Sequence, residues 1–184
     1  ARLSDDQSGV PHAGTTTDHS QHQTTYMVNE SENIYEADDQ FKEQLNNILI
    51  AYLPMKDALI VSNAEAAAAH ANSVLKAVNA VNMTLVSGEA HNEWMADMGV
   101  LLSTSGAIAA ESNLEPMRMI FSPLSDQLYQ TLKKFEVETG AYLQFCPMAR
   151  QNKGAYWLSD SEKILNPYFG DAMLTCGNVE EELN

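Results

Sequence analysis

The sequence has few basic residues, few cysteines and no long hydrophobic run. Lysine and arginine together number 10 against 25 acidic residues, which gives a formal charge of −15 at pH 7. A surface of this sign repels phosphate backbones and anionic headgroups, so nucleic acid is not expected as a partner. No apolar stretch approaches the roughly 20 residues that a membrane-spanning helix requires, so no membrane span is predicted.

Catalytic motifs are also missing from the pattern. The sequence contains no nucleophile elbow, phosphate-binding loop or zinc-protease helix, and no cysteine and histidine stand beside an orienting carboxylate. The acidic residues are scattered over predicted helix surfaces, where solvation is the simplest interpretation. They include Asp57, Glu89, Glu93 and Asp97. The sequence therefore predicts a binding protein rather than an enzyme.

The first 33 residues are rich in Ser, Thr, Gln, His and Asp and almost free of large aliphatic side chains. Such a segment buries too little surface to offset the entropy of ordering, so we expect residues 1–33 to be a disordered tail. A tail of this kind often follows a removed signal peptide or lipid anchor, which predicts an exported or periplasmic protein. Its histidines and one methionine either capture metal loosely or belong simply to a polar tail. They are His12, His19, His22 and Met27.

Four segments between Ile34 and Glu138 carry apolar residues at spacings of three and four, which is typical of amphipathic helices. Pro54 is expected to kink or split the first helix, and Ser62 with Glu65 has the pattern of a capping box at the start of the second. Short connectors between four such helices predict an antiparallel up-and-down bundle. We therefore expect a mainly α protein with one folded domain over residues 34–184.

The helical period stops near Gly140, and residues 141–179 read as short strands and turns punctuated by proline and glycine. This segment holds the only two cysteines, Cys146 and Cys176, each within three residues of a methionine. Cys146 and Met148 leave an extended strand on the same side, and Met173 and Cys176 do so in a tight turn. Two thiols and two thioethers can therefore converge.

Two interpretations of these sulfur atoms remain open. Soft thiolate and thioether donors select Cu(I) or Ag(I), whereas zinc prefers thiolate and imidazole, so the donor types favour a copper or silver site. The alternative is a disulfide between Cys146 and Cys176, which is common in exported proteins, with the methionines as core-filling residues.

A second candidate metal ligand lies in the third predicted helix. His91, Met95 and Met98 are separated by four and three residues, so they share one face of that helix. Their side chains either reach a common soft ion or serve structure, with the methionines in the core and the histidine at the helix start. We keep His91 as a possible ligand that the bundle contributes to the cysteine segment.

The run YLQFCPMARQNKGAYWLSDSEKILNPYFGDAMLTCGNV resembles the C-terminal signature of the family called domain of unknown function 3347. The stretches AYLPMKDALIVSNAEAAAAHANSVLKAVNAV, GEAHNEWM and FSPLSDQLYQTLKKF are similar to its helical part. Members of this family occur as exported proteins and attached to copper and silver efflux adaptor proteins. The resemblance implies a periplasmic heavy-metal-linked domain, with Cys146, Met148, Cys176 and Met173 as the residues to which a ligand role carries over.

The sequence thus predicts an exported soft-metal domain that binds Cu(I), or Ag(I), and takes part in copper handling or efflux. Its expected partners are the metal ion and an efflux adaptor or another envelope protein. The alternative is a helical interaction module of the cell envelope in which the two cysteines form a structural disulfide.

Overall fold

The computed structural model describes residues 33–184, which form four long helices followed by a small sheet. The predicted tail, with its three histidines and Met27, lies outside the described residues apart from its last position. The helices are α1 (Asp39–Ile60), α2 (Ala64–Ala80), α3 (Gly88–Ala110) and α4 (Leu114–Lys134). The strands are β1 (Ala141–Cys146), β2 (Ala155–Ser159) and β3 (Asn178–Leu183). Short 3-10 turns span Met83–Leu85 and Gly170–Ala172.

The helices form because their apolar residues recur on one face and are buried together. On α1, Asp38 caps the first turn by accepting a hydrogen bond from the Gln40 amide, at 2.8 Å. Pro54 lies inside α1 without splitting it, so of the two predicted outcomes the split is absent. The buried apolar positions of this helix include Phe41, Leu45, Ile48, Leu49, Tyr52, Met55 and Leu59.

Successive helices pack as neighbours, and α4 returns to contact α1. The start of α3 lies beside the end of α4, where the Lys134 ammonium donates to Glu93 at 3.1 Å and to Asp97 at 3.0 Å. Asp97 is buried, so its predicted solvation is wrong, because its carboxylate is paired inside the bundle. The start of α4 lies beside the end of α1, where Arg118 donates to the Leu59 carbonyl at 3.0 Å. These contacts confirm the predicted mainly helical architecture of antiparallel neighbours, with short strands after the fourth helix.

The start of α2 differs from the expected capping box. Asn63, not Ser62, is the N-cap, and its side chain accepts a hydrogen bond from the Ala66 amide at 3.0 Å. Ser62 has a left-handed backbone with a φ of 56° and instead accepts a hydrogen bond from Arg118 at 2.9 Å. The sequence pattern was ambiguous here because serine and asparagine are both good caps.

The sheet has the antiparallel order β2-β1-β3, so β1 is its central strand. Tyr52 of α1 joins β2 to the bundle: its hydroxyl accepts a hydrogen bond from the Leu158 amide at 3.2 Å and pairs with the Ser125 hydroxyl at 2.7 Å. The buried phenol thereby satisfies a backbone donor at the outer edge of the sheet. Along residues 33–184, no helix is both long and apolar enough to cross a membrane.

Candidate metal centre

The two cysteine sulfur atoms lie in contact, with Sγ of Cys146 and Sγ of Cys176 separated by 2.7 Å. This separation exceeds the roughly 2.05 Å of a covalent disulfide, so no bond joins the two sulfur atoms in this structure. Cys146 is the last residue of β1 and is fully buried, whereas Cys176 precedes β3 and is half-buried. The fold has thus brought together two thiols that are 30 positions apart in the chain.

Asn166 holds the loop that carries Cys176. This fully buried side chain donates to the Cys176 carbonyl at 2.8 Å and accepts from the Tyr168 amide at 2.8 Å. Its own amide donates to the Leu174 carbonyl at 2.8 Å. Because a buried amide satisfied on both sides fixes its neighbours, the backbone of Cys176 has little freedom. Sequence reasoning missed Asn166, for which the only signal was an amide beside a proline in a loop.

Gly177 allows Cys176 to approach β1 closely. A Cβ atom at this position would lie 2.7 Å from the Phe145 carbonyl oxygen and 2.9 Å from Cη2 of Trp157. The φ of Gly177 is 138°, a conformation that residues with a side chain rarely adopt. A glycine directly after the second cysteine is therefore a requirement of the close approach, and it was also missed.

The surroundings of the pair are mostly apolar. Cys146 is paired with Ala155 across the strands and shares its face of the sheet with Trp157 and Gln144. Trp157 is fully buried and meets the Tyr168 ring edge-on at a centroid distance of 6.0 Å. Cys146 thus lies on the buried face of the sheet, and Cys176 is the more exposed cysteine of the pair.

The two thiols are hydrogen-bonded to each other. The hydrogen bond with Cys146 raises the pKa of the Cys176 thiol, and burial raises it further, while the Met148 backbone amide opposes the shift by donating to the same sulfur. A thiolate is the form that binds a metal. A soft ion that binds Cys176 must therefore displace a proton that is still present at neutral pH.

The two methionines flank the pair at different depths. Met148 lies two residues beyond Cys146, and its side chain is 45% exposed. Met173 is half-buried, and its carbonyl accepts a hydrogen bond from the Cys176 amide at 3.1 Å. The structure therefore places both residues beside the cysteines through backbone contacts.

His91 is not brought to the cysteines. It lies in the first turn of α3, where its Nδ1 is 3.2 Å from the Met83 carbonyl oxygen, and the Lys134–Glu93 contact places that turn beside the end of α4. The segment after Cys146 instead contacts α4 at Ser122, through Arg150. The two levels are 12 residues apart on α4, which is roughly 18 Å of helix. The proposed contribution of His91 to the cysteine site is therefore not supported by its position.

The donor set fits a soft monovalent ion better than zinc. Across the described part of the chain, no three side chains of the His, Cys, Asp and Glu types form a group that could hold a metal ion. Zinc is almost always held by four such ligands or by three and a water, and two thiols do not supply them. Two thiolates, with or without a thioether, satisfy an ion of the Cu(I) type.

Comparison with known families agrees with the helical part of this structure. The model of a protein family of unknown function, DUF3347, matches residues 48–140, just over half of the chain. The chain belongs to the DUF3347 family. The matched residues run from within α1 to the glycine before β1, so the cysteine pair of this DUF3347 protein lies beyond them. No curated protein and no solved structure matches the chain.

Proposed function

We propose that this DUF3347 protein binds one Cu(I) ion, or Ag(I), through Cys146 and Cys176 and serves copper handling or efflux in an exported compartment. The observation that carries the proposal is the contact of the two thiols at 2.7 Å beside Met148. Soft sulfur donors that the fold places side by side can share one ion once they move apart to admit it. The cargo is the metal itself, and the role is binding and transfer rather than catalysis.

Binding would exchange protons for the metal. The two S–H bonds break, two bonds from sulfur to Cu(I) form, and two protons leave to water, with no change in oxidation state. Cys146 is fully buried, whereas Cys176 and Met148 are partly exposed, so a partner's sulfur approaches from the side of Cys176 and Met148. A low coordination number leaves a direction open for that sulfur, which allows the ion to pass to an efflux adaptor or another envelope protein by ligand exchange.

Titration of the reduced full chain with Cu(I), against a competing chelator, tests this proposal. The expected result is one tightly held ion per chain, and its loss in both Cys146→Ser and Cys176→Ser. Circular dichroism of each variant checks that the helices persist, and Cys176→Ser is the more informative change because this residue is only half-buried. Met95→Leu, at a 37% exposed position on α3, is a control that should bind as the wild type does. Unchanged affinity in both cysteine variants would exclude the cysteine site.

The second candidate is an interaction module in which the same cysteines form a disulfide, and the full burial of Cys146 favours it. A disulfide that closes a loop of 30 residues would add roughly 3 to 4 kcal/mol of stability in the chain-entropy model. A free-thiol count on the protein as isolated separates the two candidates. A permanently oxidised pair, and no Cu(I) uptake after reduction, would establish the structural role.

A further inference from the structure

The segment that follows the first cysteine has a strained backbone. Arg150, Gln151 and Asn152 are consecutive non-glycine residues with φ values of 51°, 59° and 64°. Sterics between Cβ and the carbonyl oxygen disfavour the left-handed conformation by roughly five- to thirtyfold for each such residue. Three in succession persist only where the surrounding structure enforces them, and such strain is concentrated at binding sites and switches.

Contacts with α4 and β1 enforce this conformation. The Arg150 side chain donates from Nη1 to the Ser122 hydroxyl at 3.3 Å, and its positive charge faces Asp126 one turn further along α4. Its Nε is buried without a hydrogen-bond partner, so the guanidinium is held but not fully satisfied. At the far end, a Cβ on Gly154 would lie 2.5 Å from Cζ of Phe145, so this glycine lies tightly against that ring.

The strained segment is directly connected to the cysteine pair. It begins at Met148, two residues after Cys146, and the Met148 carbonyl accepts a hydrogen bond from the Asn152 amide at 3.2 Å. The Met148 side chain is 45% exposed, so its thioether is free to turn toward the pair if the backbone behind it moves. Relaxation of the left-handed turn therefore reorients the one exposed soft donor next to the two thiols.

We propose that residues 148–154 form a strained lid, pinned to α4 by Arg150, and that a soft ion on Cys146 and Cys176 releases it so that Met148 becomes the third ligand. The inference rests on the proposed metal binding and deepens it. Arg150 is a positioning residue in this scheme, since it touches neither the ion nor its ligands. The strain stored in the metal-free protein adds to the affinity for the ion when the turn relaxes.

Glycine at position 151 tests the lid, because glycine adopts the left-handed conformation without strain. Gln151→Gly should raise the melting temperature of the metal-free protein and weaken Cu(I) binding up to roughly tenfold, since less strain remains to be released. Glu136→Gly is the matched control: Glu136 is exposed after α4 with a φ of 48°, away from the cysteines. This variant should gain stability in the same way and leave Cu(I) affinity unchanged.

The contribution of the methionine is read from a double-mutant cycle. Met148→Leu should weaken binding by at least the roughly tenfold that loss of an outer-shell partner costs a metal site, and Gln151→Gly should have no further effect on affinity in that background. X-ray absorption spectroscopy of the bound Cu(I), a spectroscopically silent d10 ion, should count three sulfur ligands in the wild type and two in Met148→Leu. Two sulfurs in both proteins, or equal effects of Gln151→Gly in both backgrounds, would overturn the lid. If the wild type itself binds no Cu(I), the proposed function is refuted instead.

Discussion

Replacing Asp126 with asparagine should stabilise this protein, and more so as the pH rises. Burial raises the pKa of the Asp126 carboxyl from 3.8 to about 6, and the positive charge of Arg150 offsets this only in part. The negative charge of Asp126 also contributes to raising the pKa values of Tyr156 and Tyr168, so the carboxyl lies among phenols on the sheet side of α4. A carboxylate in such a place is held in a state that its surroundings disfavour.

The sign of the effect follows from linkage. A carboxyl whose pKa is higher in the folded state does not destabilise that state below the unfolded pKa of 3.8, where both states are protonated. As the pH rises from 3.8 to about 6 the unfolded state loses its proton first, so the folded state becomes progressively less stable. The raised pKa of Asp126 then lowers the free energy of unfolding by about 1.5 kcal/mol at pH 5 and about 3 kcal/mol at pH 8. Both values are upper bounds on what an uncharged side chain of the same shape recovers.

Urea denaturation of the metal-free wild type and of Asp126→Asn at pH 5 and pH 8 measures this difference. The variant should gain more at pH 8 than at pH 5, by about 1.5 kcal/mol. Asp171→Asn, at an exposed position, controls for the loss of one negative charge and should change the stability by no more than about 0.5 kcal/mol. A gain independent of pH, or a loss of stability at pH 8, would refute the reasoning.

Two further changes test contacts that hold the bundle and the sheet together. Lys134→Met removes the cation beside Asp97, which is 3% exposed. It should cost up to about 3 kcal/mol of unfolding free energy, because the buried carboxylate loses its counter-charge and keeps only the hydrogen bonds from Gln127 and Thr131. Adding Asp97→Asn should recover part of the loss in urea titrations. Tyr52→Phe deprives the Leu158 amide of its acceptor and should cost about 1 to 3 kcal/mol. A Tyr52→Phe protein as stable as the wild type would show that the amide finds another partner.

The bundle could be predicted from the sequence because its signal is local. Apolar residues at a period of 3.6 identify the buried face of each helix whatever the rest of the chain does, and Phe121, Leu124 and Leu128 of α4 are buried as their spacing requires. The end of the helical period near Gly140 likewise predicted the strands that follow. The predictions that were wrong concerned positions where two neighbouring residues could serve equally well, such as Ser62 and Asn63 as the N-cap of α2.

The candidate site could be predicted only as a set of residue types. Two cysteines and two methionines in a short segment indicate soft-donor chemistry, but their spacing did not show which sulfurs meet. His91 shares the predicted donor chemistry and lies at another level of the bundle, because helix packing and not composition decides which faces converge. Whether a metal occupies the cysteine pair stays a prediction.

The sequence by itself determined four amphipathic helices, a terminal segment of short strands, a strongly acidic surface and the softness of the available donors, since each depends on residues close together in the chain. Only the tertiary structure decided that Cys146 meets Cys176. That contact depends on Asn166, which fixes one loop, and on Gly177, which lets it lie against Phe145. It also decided that the lid beside Met148 is held in a left-handed turn by Arg150, because the contact at Ser122 comes from a helix 28 residues away in the chain.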